Sequence, residues 1–245
     1  MSWELEKQVL FMISKKDFER LKKYQDASSW CVWEKWNKDD KEYTSNLYDK
    51  DNTWVKHMAW TKDENGLIKK LKTSCVFVAL NASGKPDDGK ANVPWSNFHS
   101  GKNDYVLRYA LWDDYYGSYI TDVIKYKDVK KKLRYTETNS SIVRKKVKEN
   151  PAILRDNFQI LKDEIDILKD VKIIIALGKD AYNFLIKAHE EDLLIKKVKI
   201  VWVYHYSYRY VKWYYKNQGY GNPQNISRAE CYKRIFMEQL KKQGL

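Results

Sequence analysis

The sequence predicts an α/β fold in which a short, mainly parallel central sheet lies between two helical layers as a three-layer sandwich, with a helical N-terminal extension. Two observations lead to this prediction. Short apolar runs rich in β-branched residues recur along the chain, as expected for buried parallel strands. The segments between them carry apolar residues at helical spacing. Strands that alternate with helices in this way are typical of a parallel sheet covered on both faces.

Three apolar runs are the first strand candidates, over residues 74–80, 171–177 and 198–204. The run Tyr119–Ile124 is a fourth candidate. The first two runs are followed directly by the turn-forming residues Asn81 and Gly178. Because functional loops of such folds lie at the carboxyl ends of the strands, we expect the site in the residues that follow these runs.

Helical patterns fill the intervals between the strand candidates. One starts at Pro151 and another follows Gly178, while the last begins at Ser227, which forms an S-x-x-E capping box with Glu230. Residues 1–70 differ in character, with helical patterning followed by a Trp-rich and polar stretch. We therefore predict a helical, aromatic-rich extension over residues 1–70 and one α/β domain over residues 71–245.

Charge indicates the class of partner. The chain has 46 Lys plus Arg against 33 Asp plus Glu, a formal net charge of +13, which favours a polyanion. Since no window approaches the roughly 20 apolar residues of a transmembrane helix, nucleic acid is the predicted partner rather than a membrane. The 19 Tyr and 10 Trp residues, many of them interleaved with Lys or Arg, suit base stacking beside phosphate contacts.

Cysteine and histidine usage argues against a metal centre. Cys31, Cys75 and Cys231 are far apart and odd in number, which disfavours a disulfide framework and a four-cysteine site. The four histidines show no ligand spacing, so we expect no metal and no cofactor. The N-terminus lacks the pattern of a secretory signal, so we expect an intracellular protein, with a monomer as the working expectation.

Five segments occur in an order that resembles the motifs of the uracil-DNA glycosylase superfamily, in its mismatch-specific branch, over about residues 70 to 215. They are Val78–Gly84, Phe98–Tyr105, Gly117–Lys125, Ile173–Ala181 and His205–Ser207. The chain departs from these motifs at Ala79, Ala82 and Tyr206, which stand where the family has Gly, Pro and Pro. The resemblance implies a uracil-DNA-glycosylase-like fold and a DNA glycosylase that flips a base out of double-stranded DNA, hydrolyses its N-glycosidic bond and leaves an abasic site.

That hydrolysis needs an oriented water, a stabilised cationic sugar and help for the departing base. By resemblance, Asn81 positions the water, His205 faces the base carbonyl O2, and Phe98 stacks on the extruded base. Each has a structural alternative: Asn81 could close a turn, His205 could be a structural residue, and Phe98 could be a core aromatic.

The resemblance also assigns contacts around the pocket and on the DNA. Ser83, Trp95 and Tyr105 are further substrate-binding candidates, the last two as alternatives to Phe98 for stacking. Relatives insert a minor-groove wedge after the histidine, which makes Tyr206, Ser207, Tyr208 and Arg209 the DNA-binding candidates here. Basic clusters at residues 130–134 and 144–146 would contact phosphates.

Asp122 stands where uracil-directed relatives typically have Asn. A carboxylate cannot donate to O4 of uracil, but it can accept from the N4 amino group of cytosine. If buried and protonated, it could also give its proton to cytosine N3. This points to a cytosine-type base, unless Asp122 only caps a local turn.

Three functions remain open from the sequence. Removal of ordinary cytosine would destroy the host genome, so a cytosine-reading enzyme should act on a modified cytosine, such as one with a bulky 5-substituent in phage DNA. A uracil or mismatch repair glycosylase is the second hypothesis. The third is a catalytically inactive nucleic-acid-binding or inhibitor protein on the same fold, which the missing motif Gly and Pro residues favour.

Overall fold

The computed structural model of the chain describes residues 12–32, 64–81, 94–95, 97–99, 103–111, 114–194, 197–207, 211–222, 224 and 226–245. The strands are β1 (Ser29–Trp30), β2 (Lys72–Asn81), β3 (Ser118–Ile124), β4 (Tyr126–Asp128), β5 (Leu133–Arg134), β6 (Ile173–Leu177) and β7 (Lys199–Val203). Five of them form the central sheet in the order β1-β3-β2-β6-β7, and β4 pairs with β5 as a separate hairpin.

The central sheet is mainly parallel. β2 pairs in parallel with β3 on one side and with β6 on the other, and β6 pairs in parallel with β7. All four strand candidates are therefore strands of one sheet. The short edge strand β1 pairs antiparallel with β3, so the N-terminal segment contributes a strand to the sheet as well as helices.

Helices cover both faces of the sheet. They are α1 (Lys15–Leu21), α2 (Glu64–Ile68), α3 (Asp104–Leu111), α4 (Ser140–Glu149), α5 (Pro151–Leu168), α6 (Lys179–Glu190), α7 (Val211–Asn217) and α8 (Arg228–Lys242), with a 3₁₀ turn at Lys22–Tyr24. Pro151 is the first residue of α5, as predicted. Ser227 caps α8 by accepting a hydrogen bond from the backbone N–H of Glu230 at 3.1 Å.

Two hydrophobic clusters lie on opposite faces of the sheet. Alternate residues of β2 divide between them: Val76 and Val78 pack with α1, α5 and α6, whereas Phe77 and Ala79 pack with α3, α7 and α8. This is the two-residue periodicity of a strand buried on both faces. The predicted fold class, a three-layer α/β sandwich with a mainly parallel sheet, is confirmed.

Candidate active site

Register places the three predicted catalytic residues at the carboxyl edge of the sheet. Asp122 pairs with Ala79, so the Cα of Asn81, two residues further along β2, lies about 8 Å from the Cα of Asp122 at the usual strand spacing and rise. Leu177 of β6 pairs with Val203 of β7. His205 therefore lies two residues beyond the end of that pairing, on the same edge.

Gly178 lies next to His205 at the end of β6, the strand between β2 and β7. Its φ of +106° is a backbone conformation that residues with a side chain rarely adopt. A Cβ added to Gly178 would lie 3.5 Å from the Cβ of His205. The His205 side chain thus starts directly above the end of β6, next to the strand that carries Asn81.

The amide of Asn81 has a defined orientation. Its Nδ2 donates to the backbone carbonyls of Glu137 at 2.6 Å and Tyr135 at 3.3 Å. A backbone carbonyl cannot donate, so the atom that faces these two groups must be the nitrogen. Both amide hydrogens are used in this way, and the side-chain oxygen is left to accept a hydrogen bond.

Asp122 is a buried carboxyl with only part of its hydrogen bonding satisfied. It is 1% exposed, and its Oδ2 accepts a hydrogen bond from Nδ2 of Asn97 at 2.8 Å. Its Oδ1 is also buried and has no hydrogen-bond partner among the residues that the structure describes. Burial raises the pKa of Asp122 from 3.8 to about 7, against the lowering effects of the Asn97 hydrogen bond and of Lys125 and Arg134.

The imidazole of His205 is neutral, with a preferred tautomer. Its Nδ1 lies 3.2 Å from the backbone nitrogen of Ser207, which donates to it, and 2.7 Å from the Ser207 hydroxyl. Because Nδ1 accepts, the ring proton is on Nε2. Burial lowers the pKa of His205 to about 4, so the ring stays uncharged near neutral pH.

Tyr206 does not occupy a DNA-facing position, which corrects its assignment. The residue is 8% exposed and lies in the core cluster of α3, α7 and α8. Its ring stacks on His205 at 4.4 Å between centroids, and its hydroxyl donates to Asp104. The carboxylate of Asp122 is close enough to help raise the pKa of this phenol. The loop of residues 205–207, called the His205 loop below, therefore lies near Asp122.

Trp95 is also corrected, because it packs on the other face of the sheet. Its indole is 3% exposed and contacts Phe18, Trp30 and Tyr119, with ring centroids 5.7 to 6.5 Å apart. An aromatic ring enclosed by three others cannot stack on a base. This removes Trp95 from the stacking candidates.

Phe98 and Tyr105 remain candidates for stacking. Phe98 is 8% exposed and lies with Tyr206 in the cluster of α3, α7 and α8, the face on which Asp122 lies. Its φ of +67° turns the chain directly after Asn97. Tyr105, in the first turn of α3, is half-buried against the same cluster.

Several predicted contacts have other partners or lie elsewhere. Ser83, Tyr208 and Arg209 are outside the described residues. Ser207 is exposed, and its hydroxyl is engaged with His205. Arg144 of the second basic cluster donates to Asp180 at 2.6 Å, while Lys130 and Lys131 of the first cluster are exposed in the turn between β4 and β5.

Sequence reasoning missed two residues. Asn97 was not selected, although it lies in the Trp95–Phe98 stretch, because nothing in that stretch signals a contact with a strand 25 positions further on. Trp213 belongs to no motif and is one of the 10 Trp residues of the chain. It is 62% exposed on α7, beside the exposed Lys212 and Lys216, on the helix that begins four residues after Ser207.

No described helix is both long enough and apolar enough to cross a membrane. Within the ranges given above, no group of three or more His, Cys, Asp or Glu residues is arranged to hold a metal ion. All three cysteines are free and buried.

The chain matches the family model of the uracil DNA glycosylase superfamily over residues 53–225, and a comparison with curated proteins finds no match. Members of this superfamily are typically DNA glycosylases, hydrolases that act on DNA. The match is to the superfamily as a whole and includes all four parallel strands of the sheet together with Asn81, Asp122 and His205. This chain belongs to the uracil DNA glycosylase superfamily.

Proposed function

We propose that this protein is a monofunctional DNA glycosylase that flips a modified cytosine out of duplex DNA and hydrolyses its N-glycosidic bond. The bond between C1′ and the base nitrogen breaks, and its electron pair leaves with the base. Water adds to the cationic sugar at C1′ and loses a proton to solvent, which leaves an abasic site. The observation that carries the proposal is the set of oriented polar groups of Asn81, Asp122 and His205 at one edge of the sheet.

Asn81 orients the water. Its two amide hydrogens are held by the carbonyls of Tyr135 and Glu137, so its oxygen is the atom that accepts a hydrogen bond from water. An amide is a weak base. This is sufficient, because a dissociative, cation-like sugar needs a well-placed attacking water more than a strongly activated one.

His205 stabilises the charge that develops on the base. With Nδ1 accepting from Ser207, the neutral ring has a single donor, Nε2–H, for the base carbonyl O2. A neutral donor held in place strengthens its hydrogen bond as the oxygen becomes negative. The Tyr206 ring stacked on the imidazole supports this orientation.

Asp122 selects the base. With a pKa of about 7, the buried carboxyl is neutral in about half of the molecules at neutral pH. The neutral form donates its proton to cytosine N3, which turns a poor leaving group into a better one, and Asp122 regains a proton from solvent after the base has left. Since an enzyme that removed ordinary cytosine would damage its own genome, the substrate is a modified cytosine, for example a 5-substituted base in phage DNA, and the role is antiviral.

The duplex lies against the exposed groups around the His205 loop. Ser207 is at the surface of this loop, and α7 presents Lys212, Trp213 and Lys216 next in the chain. Lysines bind phosphates, and an exposed aromatic ring stacks on a base or sugar beside the extruded nucleotide. The net charge of +13 supports attraction of the duplex to the protein.

A panel of duplexes tests the reaction and the base together. The panel contains U·G and T·G mispairs, hypoxanthine, cytosine, 5-hydroxymethylcytosine and glucosylated 5-hydroxymethylcytosine, and abasic sites are detected by alkaline cleavage. We expect product from a modified cytosine and none from cytosine. Asn81→Ala should slow single-turnover cleavage by about 10²- to 10³-fold, as expected when one oriented polar group is lost. Asn183→Ala, an exposed position on α6, is the matched control and should have no effect.

Two outcomes contradict the proposal. Cleavage of uracil or mispaired thymine alone identifies a repair glycosylase and rejects the modified cytosine. Binding of the duplexes with no abasic product from any of them, in wild type and in Asn81→Ala alike, identifies a nucleic-acid-binding protein without activity.

A further inference from the structure

The orientation of the Asn97 amide is set independently of Asp122. Its Nδ2 donates to the backbone carbonyl of Ala27 at 2.8 Å and to Oδ2 of Asp122 at 2.8 Å. Since the Ala27 carbonyl can only accept, the nitrogen of Asn97 must face it. The same nitrogen therefore faces Oδ2 of Asp122, whichever protonation state Asp122 has.

This contact makes the two oxygens of Asp122 different. Oδ2 receives an N–H from Asn97, so a proton on Oδ2 would point at another donor. When Asp122 is neutral, its proton is therefore on Oδ1. Oδ1 is buried and without a partner in the part of the chain that the structure describes, so it is the oxygen that remains for a ligand.

The N-terminal segment holds Asn97 in place from both sides. The backbone nitrogen of Trp95 donates to the carbonyl of Gln25 at 2.6 Å, and the hydroxyl of Ser29 donates to the carbonyl of Trp95 at 2.6 Å. On the other side, Nε2 of His99 lies 2.8 Å from the hydroxyl of Ser29. Ser29 itself belongs to β1, which pairs with the strand that carries Asp122.

We propose that Asn97 is a positioning residue that directs the Asp122 proton to Oδ1, toward N3 of the extruded base. Residues 25–30 hold Asn97 in the position that this requires. The inference rests on the proposed function of Asp122 as the group that reads the base. It gives the first described part of the N-terminal extension a role in substrate selection.

Among the residues that the structure describes, the other charged groups near Asp122 act on it without a direct hydrogen bond to its carboxylate. Lys125, on the same strand edge, donates to the backbone carbonyl of Asp122 at 2.6 Å, and Arg134 of β5 adds a second positive charge. Glu164 of α5 acts in the opposite direction and raises the pKa of Asp122, whereas the neutral Tyr206 carries no charge. Asn97 is the donor to the carboxylate, so its removal should raise the pKa of Asp122.

Carbon-13 NMR of aspartate-labelled protein tests this without relying on activity. The pKa of Asp122 is measured in wild type, in Asn97→Ala, and in Asn97→Asp, which keeps the shape but replaces the amide donor with an acid. We expect the pKa of Asp122 to rise by about one pH unit in Asn97→Ala and further in Asn97→Asp, where a like charge is added. Asn183→Ala should leave it unchanged. An unchanged value in both folded Asn97 variants overturns the inference.

Single-turnover cleavage of the modified-cytosine duplex gives the second readout. Because the neutral form of Asp122 donates, the wild-type rate should fall as the pH rises through about 7, and the fall should move to higher pH in Asn97→Ala. If neither the pH profile nor the NMR pKa of Asp122 moves in Asn97→Ala, the positioning role of Asn97 is rejected, and the proposed glycosylase function is unaffected. A raised NMR pKa in a protein that cleaves nothing supports the role of Asn97 in orienting Asp122 and rejects the proposed function.

Discussion

Thr121 and Asp122 are neighbours in β3 that face opposite sides of the sheet, and each side has one buried carboxylate. On the Thr121 side is Glu164 of α5, which is fully buried and accepts hydrogen bonds from three hydroxyls and from the ammonium of Lys125 at 2.8 Å. The hydroxyls belong to Ser28, Tyr119 and Thr121, at 2.6, 2.9 and 3.2 Å. On the other side, Asp122 accepts one hydrogen bond from Asn97 and has a buried oxygen without a described partner.

The two carboxylates show how a structural charge differs from a chemical one. A buried charge is tolerated when it is paired and hydrogen-bonded, as Glu164 is. A buried carboxyl that lacks donors is costly, and its pKa shifts until it is partly neutral, as the pKa of Asp122 does. A polar group left in that condition in a folded protein is a candidate for function. The following changes test this contrast.

Glu164→Ala should have the strongest effect on stability. It removes the partner of the fully buried Lys125 and leaves that charge uncompensated, which costs about 3–5 kcal/mol of unfolding free energy. Urea denaturation measures the loss. Asp166→Ala, on the same helix, breaks an exposed ion pair with Lys162 and should cost less than about 1 kcal/mol. Equal losses in the two variants would contradict a special role for the buried pair.

Asp122→Asn should change stability in a way that depends on pH. The folded state raises the pKa of Asp122 from 3.8 to about 7, so the protein binds this proton more tightly when folded. The stabilisation of the folded state by this proton is therefore fully present below about pH 4 and is lost as the pH rises through about 7. Asn cannot ionise, so the stability of the variant relative to wild type should increase between pH 5 and pH 8 by on the order of 2 kcal/mol.

Urea titrations at pH 5, 6, 7 and 8 measure this difference, with Asp166→Asn as the exposed control that should show no such trend. A flat difference across the range would mean that Asp122 is ionised in the folded protein at all of these pH values. The contrast with Glu164 would then be lost.

Thr121→Val should have a small effect and only on stability. It removes a hydroxyl that lies 3.2 and 3.4 Å from the two carboxylate oxygens of Glu164 and 2.8 Å from the hydroxyl of Ser28, with little change in shape, which costs about 0.5–1.5 kcal/mol. Cleavage of the substrate duplex should be unchanged, because the side chain faces away from Asp122. A large loss of activity in a folded Thr121→Val protein would show that the two faces of β3 are coupled, through Lys125 or otherwise.

Much of the architecture could be predicted because it depends on local patterns. The four parallel strands are runs of β-branched residues buried on both faces, and the start of α5 at Pro151 and the cap of α8 at Ser227 depend on the few residues around them. The positions of Asn81 and His205 at one edge follow from the rule that parallel strands end together. The two-residue strand β1 has no such pattern, and only its pairing with β3 defines it.

Periodicity and short-range chemistry are enough to predict the layers, the order of the strands along the chain and the polar residues at the strand ends. The folded chain adds that Trp95 is enclosed while Phe98 lies on the face of the site, that Tyr206 supports His205, and that Asn97 contacts Asp122. These outcomes depend on packing between residues far apart in the chain. Adjacent side chains in a loop can turn to opposite faces of a sheet, and no periodicity records which one does.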